Sequence, residues 1–212
     1  MPLMVVTPLR IEMRAVEAGL MGAFDVRVVR AGMGADKARA RARALSALPA
    51  EEFDTLAVAG FGAGVGPGVA VGDVVVASEV RGPDGTVVEL PTSGVLAEWM
   101  GRVSPKLTVH HGPIETVDKL VTGRARGTLR ERGVRAADME SVHLLAAAGE
   151  RPAGVIRVIT DTPERELLRP RLVVDGFRAF RTLRHATPAL LDWANDERTK
   201  SGGTAGDDVR PG

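Results

Sequence analysis

The stretch AGFGAGVGPGVAVGDVVVAS, residues 59–78, carries the two signals that decide the fold. Its first half is crowded with glycines, at positions 60, 62, 64, 66 and 68, which is far more than a turn requires. Its second half is an apolar, β-rich run, which predicts a buried strand directly after the glycines. Such a loop either lets a ligand approach the backbone closely or simply connects two strands, and both interpretations stay open at this point.

Similar apolar runs alternate with helical patterns along the rest of the chain. The predicted strands are 3–7, 26–31, 55–60, 74–78, 107–112 and 154–161, and the predicted helices are about 9–19, 35–48, 94–100, 119–131, 138–148 and 176–194. This alternation predicts one α/β domain over residues 1–194, with a parallel or mixed sheet covered by helices. From about Asn195 the sequence turns polar and Gly-rich, which predicts a disordered polar tail over residues 195–212.

The composition excludes several classes of protein. Hydrophobic residues make up 44% and charged residues 26% of the chain, which is typical of a soluble globular protein. Lys and Arg (28) nearly cancel Asp and Glu (27) without forming a basic stripe, which argues against a nucleic-acid partner. No apolar run approaches the roughly 20 residues of a membrane-spanning helix. The N-terminal run MPLMVVTPLRIEM has no basic start and no small-residue cleavage site, so we expect a cytoplasmic protein. With no cysteine and no metal-ligand spacing among the histidines, we expect no metal site and no cofactor.

Candidate site residues follow the predicted strands, because ligands of open α/β sheets bind beyond the carboxyl ends of strands. Arg10 and Glu12 follow the first strand, in TPLRIE, and Gly34 follows the second, in GMGADK. GMGADK runs into a helix, whose first N–H groups either bind an anion or merely follow a tight turn. Asp161 ends the last strand, where desolvation is expected to raise the pKa of its carboxyl and make it a proton donor. Capping of a following helix is the alternative for this residue.

The stretch ADMES, residues 137–141, places two carboxylates at the start of a predicted helix. Asp138 is typical of an N-cap, and Glu140 is favoured in a first turn by the helix dipole. Alternatively Glu140 accepts two hydrogen bonds from a vicinal diol such as ribose, since a carboxylate is a pure acceptor with two oxygens.

Taken in this order, AGFGAGVGPGVAVGDVVVAS, ADMES and RVITD resemble the nucleoside phosphorylase and nucleosidase superfamily, which includes purine nucleoside phosphorylases and methylthioadenosine/S-adenosylhomocysteine nucleosidases. The resemblance covers about residues 3–194. It implies a single-domain, phosphorylase/hydrolase-like three-layer sandwich with a central mixed sheet flanked by helices. It also implies a small nucleoside substrate and a homo-oligomer.

The resemblance further implies a role for each candidate residue. Glu12 would activate an attacking water, and Asp161 would donate a proton to, or hydrogen-bond, purine N7. Met139 and Glu140 would bind ribose. The remaining implied sites are a phosphate site at Arg10 and Gly34, with inorganic phosphate as a possible co-substrate, and a base pocket at Gly60, Phe61 and Gly62.

Some positions depart from the family pattern. The phosphorylases carry an arginine and a serine around the third-strand glycine loop, where this chain has Val58 and Phe61. The stretch RVITDTPERELLRP resembles hopanoid-biosynthesis-associated phosphorylases, which release adenine from an adenosyl lipid precursor. With Arg10, this favours phosphorolysis of the N-ribosidic bond of a purine nucleoside or adenosyl compound. Hydrolysis of the methylthioadenosine/S-adenosylhomocysteine type, with Glu12, and a non-catalytic nucleoside-binding protein are the alternatives.

Overall fold

The computed structural model describes residues 2–162 and 172–203. Eight strands and seven α-helices alternate along this part of the chain. The strands are β1 (Leu3–Thr7), β2 (Val26–Arg30), β3 (Thr55–Gly64), β4 (Val74–Arg81), β5 (Val87–Glu89), β6 (Val109–Thr116), β7 (Ala136–Asp138) and β8 (Ala153–Asp161). The helices are α1 (Arg10–Gly19), α2 (Ala35–Ser46), α3 (Ser93–Val103), α4 (Gly123–Glu131), α5 (Ser141–Leu145), α6 (Leu172–Ala186) and α7 (Pro188–Gly203).

Strand β3 organises the mixed sheet. Its first residues pair in parallel with β1, its last two pair antiparallel with β7, and β8 runs parallel along its other edge. Strand β8 also pairs antiparallel with β4, which continues through β6 to β7. The strands β3, β8, β4, β6 and β7 therefore close into a ring, from which β1 and β2 extend. The carboxyl ends of β1, β3 and β8 consequently lie at the same edge, because these three strands are parallel.

Helices cover both faces of this sheet, which confirms the predicted three-layer arrangement. On one face α1, α3, α6 and α7 pack over a core that includes Val5, Val158 and Trp193. On the other face α2 and α5 pack over a core that includes Leu56 and Leu144. Apolar side chains on both faces explain why the central strands are apolar almost throughout.

The glycine stretch and ADMES differ locally from their predictions. Strand β3 continues through the first glycines to Gly64, and pairs with β8 past a bulge at Gly62 and Ala63. Asp138 ends β7 and is not an N-cap; α5 begins only at Ser141. The Asp138 carboxylate nevertheless accepts hydrogen bonds from the backbone N–H groups of Glu140 (3.3 Å) and Ser141 (3.2 Å), so Asp138 still stabilises the start of the helix.

The predicted boundary of the disordered tail at Asn195 is wrong for residues 195–203. Helix α7 continues to Gly203, and polar side chains along it are paired: Arg198 Nε lies 2.9 Å from Asp54 Oδ2, and Lys200 contacts two acidic residues one turn before it. Residues 204–212 of the predicted tail lie outside the described part of the chain. Within the described residues, no helix is long and apolar enough to span a membrane.

Candidate active site

A cavity of about 470 Å³ lies beyond the carboxyl ends of β1, β3, β7 and β8. Six of the residues predicted from the sequence line it: Glu12, Phe61, Gly62, Met139, Glu140 and Asp161. Most of the remaining lining is apolar, so the carboxylates are the chemically active groups of the cavity. The fold therefore brings together residues that are far apart in the sequence.

Glu12 is buried in the first turn of α1, beneath the cavity. Its Oε2 accepts the N–H of Leu9 (2.6 Å), and its Oε1 accepts the N–H of Phe61 in β3 (2.7 Å). Burial raises the pKa of Glu12 to about 7, although the charge of Arg157 and the two backbone N–H groups oppose this shift. A carboxyl group with this pKa can accept a proton near neutral pH and is held in one orientation, as a general base requires.

Arg157 is a fully buried cation in the middle of β8. Its Nε donates to Asp138 Oδ2 (2.7 Å) and its Nη2 to Ser141 Oγ (2.8 Å), while Nη1 has no hydrogen-bond partner within the described residues. Burial opposes its charge most strongly, but Asp138, Glu140 and Glu12 together raise the pKa of Arg157 above its ordinary value. The guanidinium therefore stays charged and keeps one donor nitrogen unused.

Gly60 packs directly against both Arg157 and Glu12. A Cβ at this position would lie 2.8 Å from Glu12 Oε1 and nearer still to Arg157 Nη1. Any larger residue would force these two groups apart, so a glycine is required. Gly60 thus does not line the cavity as a base-pocket residue; it makes room for the two charged groups behind it.

Glu140, the residue directly before α5, lines the cavity next to Met139. Its Oε1 accepts the N–H of Gly34, 2.8 Å away, at the start of α2. Gly34 has a φ of 92°, a conformation that favours glycine. Burial raises the pKa of Glu140, and Arg157 and the Gly34 N–H oppose the shift. The Gly34 N–H, which the sequence predicts to bind phosphate, therefore donates its hydrogen bond to the Glu140 carboxylate.

Asp161 ends β8, lines the cavity and forms a buried ion pair with Arg126 of α4. Thr160 Oγ1 lies 3.2 Å from its other oxygen, Oδ1. The Arg126 guanidinium therefore holds one oxygen of Asp161, and the Thr160 hydroxyl lies beside the other. The role of Asp161 as a proton donor stays a prediction.

Arg10, the other predicted phosphate ligand, is exposed at the start of α1 and does not line the cavity. The structure does not bring it together with the Gly34 N–H around a common point in the cavity. Among residues 2–162 and 172–203, no group of three or more His, Asp or Glu side chains is placed to hold a metal ion.

Sequence reasoning missed two buried arginines. Arg157 had a detectable signal, since it is the only charged residue in the apolar run GVIRVIT, and a buried charge requires a partner. Arg126 had none, because it is one of several arginines in GRARGTLRERG, a pattern typical of a solvated helix. Only the tertiary structure shows that it turns inward.

Comparisons with known proteins agree with this fold. The family model of the phosphorylase superfamily matches residues 10–180. No curated protein matches the chain by sequence. Similar solved structures include a 5′-methylthioadenosine/S-adenosylhomocysteine nucleosidase of Helicobacter pylori (13% identity, 92% of this chain, 98% of that chain, TM-score 0.71). They also include the futalosine hydrolase of Helicobacter pylori (14%, 92%, 97%, 0.72) and a nucleosidase of the former type from S. pneumoniae (19%, 92%, 98%, 0.69). These likenesses show the fold.

Proposed function

Since this chain belongs to the phosphorylase superfamily, we propose that it is an enzyme that hydrolyses the N-ribosidic bond of a purine nucleoside or adenosyl compound. The observation that carries the proposal is the buried carboxyl of Glu12 in the cavity wall, with the buried charge of Arg157 near it. Glu12 is a carboxyl with a pKa of about 7, and Arg157 Nη1 is a buried donor without a partner in the described structure. Glu12 lines the cavity and can accept a proton from a water there, while Arg157, which does not line the cavity, contributes its buried charge.

The proposed reaction begins with this water. Glu12 accepts a proton from it while its oxygen forms a bond to C1′ of the ribose. The bond between C1′ and N9 breaks, and its electron pair moves to the base. The ribose is oxocarbenium-like in the transition state, so the carboxylates of Glu12 and Glu140 stabilise it electrostatically.

Glu140 and Met139 are the proposed ribose site. Glu140 Oε1 accepts the Gly34 N–H, which fixes the orientation of the carboxylate and leaves Oε2 for a sugar hydroxyl. Met139 lines the cavity beside it and offers an apolar surface to the sugar ring. Asp138 accepts the backbone N–H of Glu140 and forms a buried ion pair with Arg157.

Asp161 is the proposed contact to the departing base. The base leaves with an additional electron pair and takes up a proton from solvent at N7, so that it departs neutral. The side chain of Asp161 accepts a hydrogen bond from this N7–H and lowers the barrier to its formation. Over a complete cycle Glu12 returns one proton to solvent, and the products are free base and free sugar.

Charge favours water over phosphate as the attacking group. A phosphate near C1′ would lie among the carboxylates of Glu12, Asp138 and Glu140, with Arg157 as the opposing charge. Phosphorolysis, which the sequence favours, would require Arg10 to turn into the cavity and Gly34 to exchange its carboxylate for phosphate. Hydrolases, by their names, are also among the solved structures that share this fold.

The test is release of free base from purine nucleosides and 5′-substituted adenosines by the purified protein. We expect release by the wild type, and a loss of about 100-fold or more in Glu12→Gln and Asp161→Asn. Glu17→Gln is the matched control, because Glu17 is an exposed residue of the same helix. A wild-type protein that binds these nucleosides but releases no base would instead be a nucleoside-binding protein.

A further inference from the structure

We propose that Arg126, which does not line the cavity, is a positioning residue for departure of the base. The inference rests on the proposed function, because it assigns to Arg126 the placement of the group that meets the base. Arg126 lies on α4, is 3% exposed and forms the ion pair with Asp161. Neither the sequence nor the family resemblance singled it out.

Arg126 joins three separate segments of the chain, two of which line the cavity. Its Nε donates to the carbonyl of Val121 (2.9 Å) in the loop before α4, and its Nη1 donates to the carbonyl of Gly64 (2.9 Å) at the end of β3. Its Nη2 donates to Asp161 Oδ2 at the end of β8. Val121 and Asp161 both line the cavity. One planar group thus fixes Asp161 relative to the loop before α4 and the end of β3.

The chemistry of arginine suits this task. A guanidinium presents its donors in a fixed plane, so three acceptors from three elements are held in one arrangement, which a lysine ammonium cannot reproduce. Removing one partner of a buried ion pair leaves the other charge uncompensated and lowers stability. The effect of Arg126 on the orientation of Asp161 therefore has to be measured with a second substrate that also shows whether the variant folds.

This role predicts a selective defect. A purine needs hydrogen bonding at N7 to leave, whereas 4-nitrophenolate is a stable anion that leaves without such help. We therefore compare Arg126→Met, Arg126→Lys and wild type on a purine nucleoside and on 4-nitrophenyl β-D-ribofuranoside. Arg130→Met is the matched control, because Arg130 lies one turn further along α4 and donates to the Val65 carbonyl.

We expect Arg126→Met to lower kcat for the nucleoside by about 100-fold, as for loss of acid–base assistance, with KM changed less than about threefold. Its turnover of the nitrophenyl riboside should stay within about threefold of wild type, which also shows that it folds. Arg126→Lys should recover part of the lost kcat, and Arg130→Met should resemble wild type on both substrates.

Equal losses on both substrates, no loss on either, or a loss carried by KM would each overturn the positioning role. If the wild type does not cleave the nitrophenyl riboside, the nucleoside alone tests the positioning role. A loss in kcat then supports the role, and a loss in KM overturns it. A wild-type protein that cleaves neither substrate contradicts the proposed function itself. That outcome is distinct from failure of the inference, in which the wild type is active and the variants lack the selective defect.

Discussion

At the scale of single residues, the site depends on placing carboxylates and one guanidinium where water is largely excluded. Glu12 and Arg157 are almost completely buried, and each changes the pKa of the other's group. Burial alone would favour a neutral Glu12, and the nearby cation limits that effect, so the pKa settles at about 7. A group that changes charge near neutral pH is suited to accept a proton from water.

The pH dependence of the reaction should report this group. Because the general base must be ionised, kcat/KM is expected to rise with pH and level off above about 7, the pKa of Glu12. The residual activity of Glu12→Gln should lack this rise. The measurement is the pH profile of base release under subsaturating substrate, and a profile that is flat from pH 5 to 8 would exclude Glu12 as the base.

The same pKa affects stability. The ordinary pKa of a glutamate is 4.5, and the pKa of Glu12 in the folded protein is about 7. Between these two pH values the folded protein therefore holds a proton at Glu12 that the unfolded chain has lost. The free energy of unfolding contributed by this group therefore falls as pH rises through this interval. Glu12→Gln removes the effect, so its stability relative to wild type should increase by on the order of 3 kcal/mol between pH 5 and 8. Urea unfolding at the two pH values measures this, and a constant difference would refute it.

Gly60 offers a steric test of the same arrangement. In Gly60→Ala the new methyl group would overlap Arg157 Nη1 and Glu12 Oε1, so we expect a loss of about 1–3 kcal/mol of stability and at least about tenfold of activity. Gly101→Ala is the control, because a Cβ there, in helix α3, meets nothing within 4 Å among the described residues. It should stabilise the protein by up to about 1 kcal/mol. Similar behaviour of the two variants would contradict the close packing at Gly60.

At the scale of elements, the sequence predicts what local patterns encode. Strands such as β1 and β4 are apolar runs and were predicted, whereas β7 is only Ala-Ala-Asp, whose pairing with β3 and β6 is a property of the tertiary structure. One helix predicted over residues 176–194 is two, α6 and α7, since Pro188 begins the second helix. The polar composition that predicted disorder from Asn195 gave no sign of the partner that holds α7.

The contact between Arg198 of α7 and Asp54 can be tested with a double-mutant cycle. Arg198→Met and Asp54→Asn should show a coupling of about 1 kcal/mol in the free energy of unfolding, because their side chains are only 22% and 19% exposed. The control cycle uses Arg102 and Glu98 of α3, which are 63% and 68% exposed. There the coupling should stay below about 0.5 kcal/mol. No coupling between Arg198 and Asp54 would argue against a docked end of α7.

At the scale of the whole molecule, the site exists because the sheet closes into a ring beside β1. The register of β3 with β1 on one side and β8 on the other places Gly60 opposite Arg157, and the start of α1 brings Glu12 over both. Motif order predicted that Glu12, Glu140 and Asp161 belong to one site. The ion pairs of Asp161 with Arg126 and of Asp138 with Arg157 could not be predicted, because they depend on register and on helix orientation.

The most direct test of hydrolysis is to identify the sugar product with and without phosphate. The purified protein is incubated with an accepted nucleoside in phosphate-free buffer and in buffer with added inorganic phosphate, and the sugar is identified by mass spectrometry. We predict a free sugar in both buffers, formed at the same rate, since water attacks C1′. A sugar 1-phosphate, formed only when phosphate is present, would contradict this account and establish phosphorolysis.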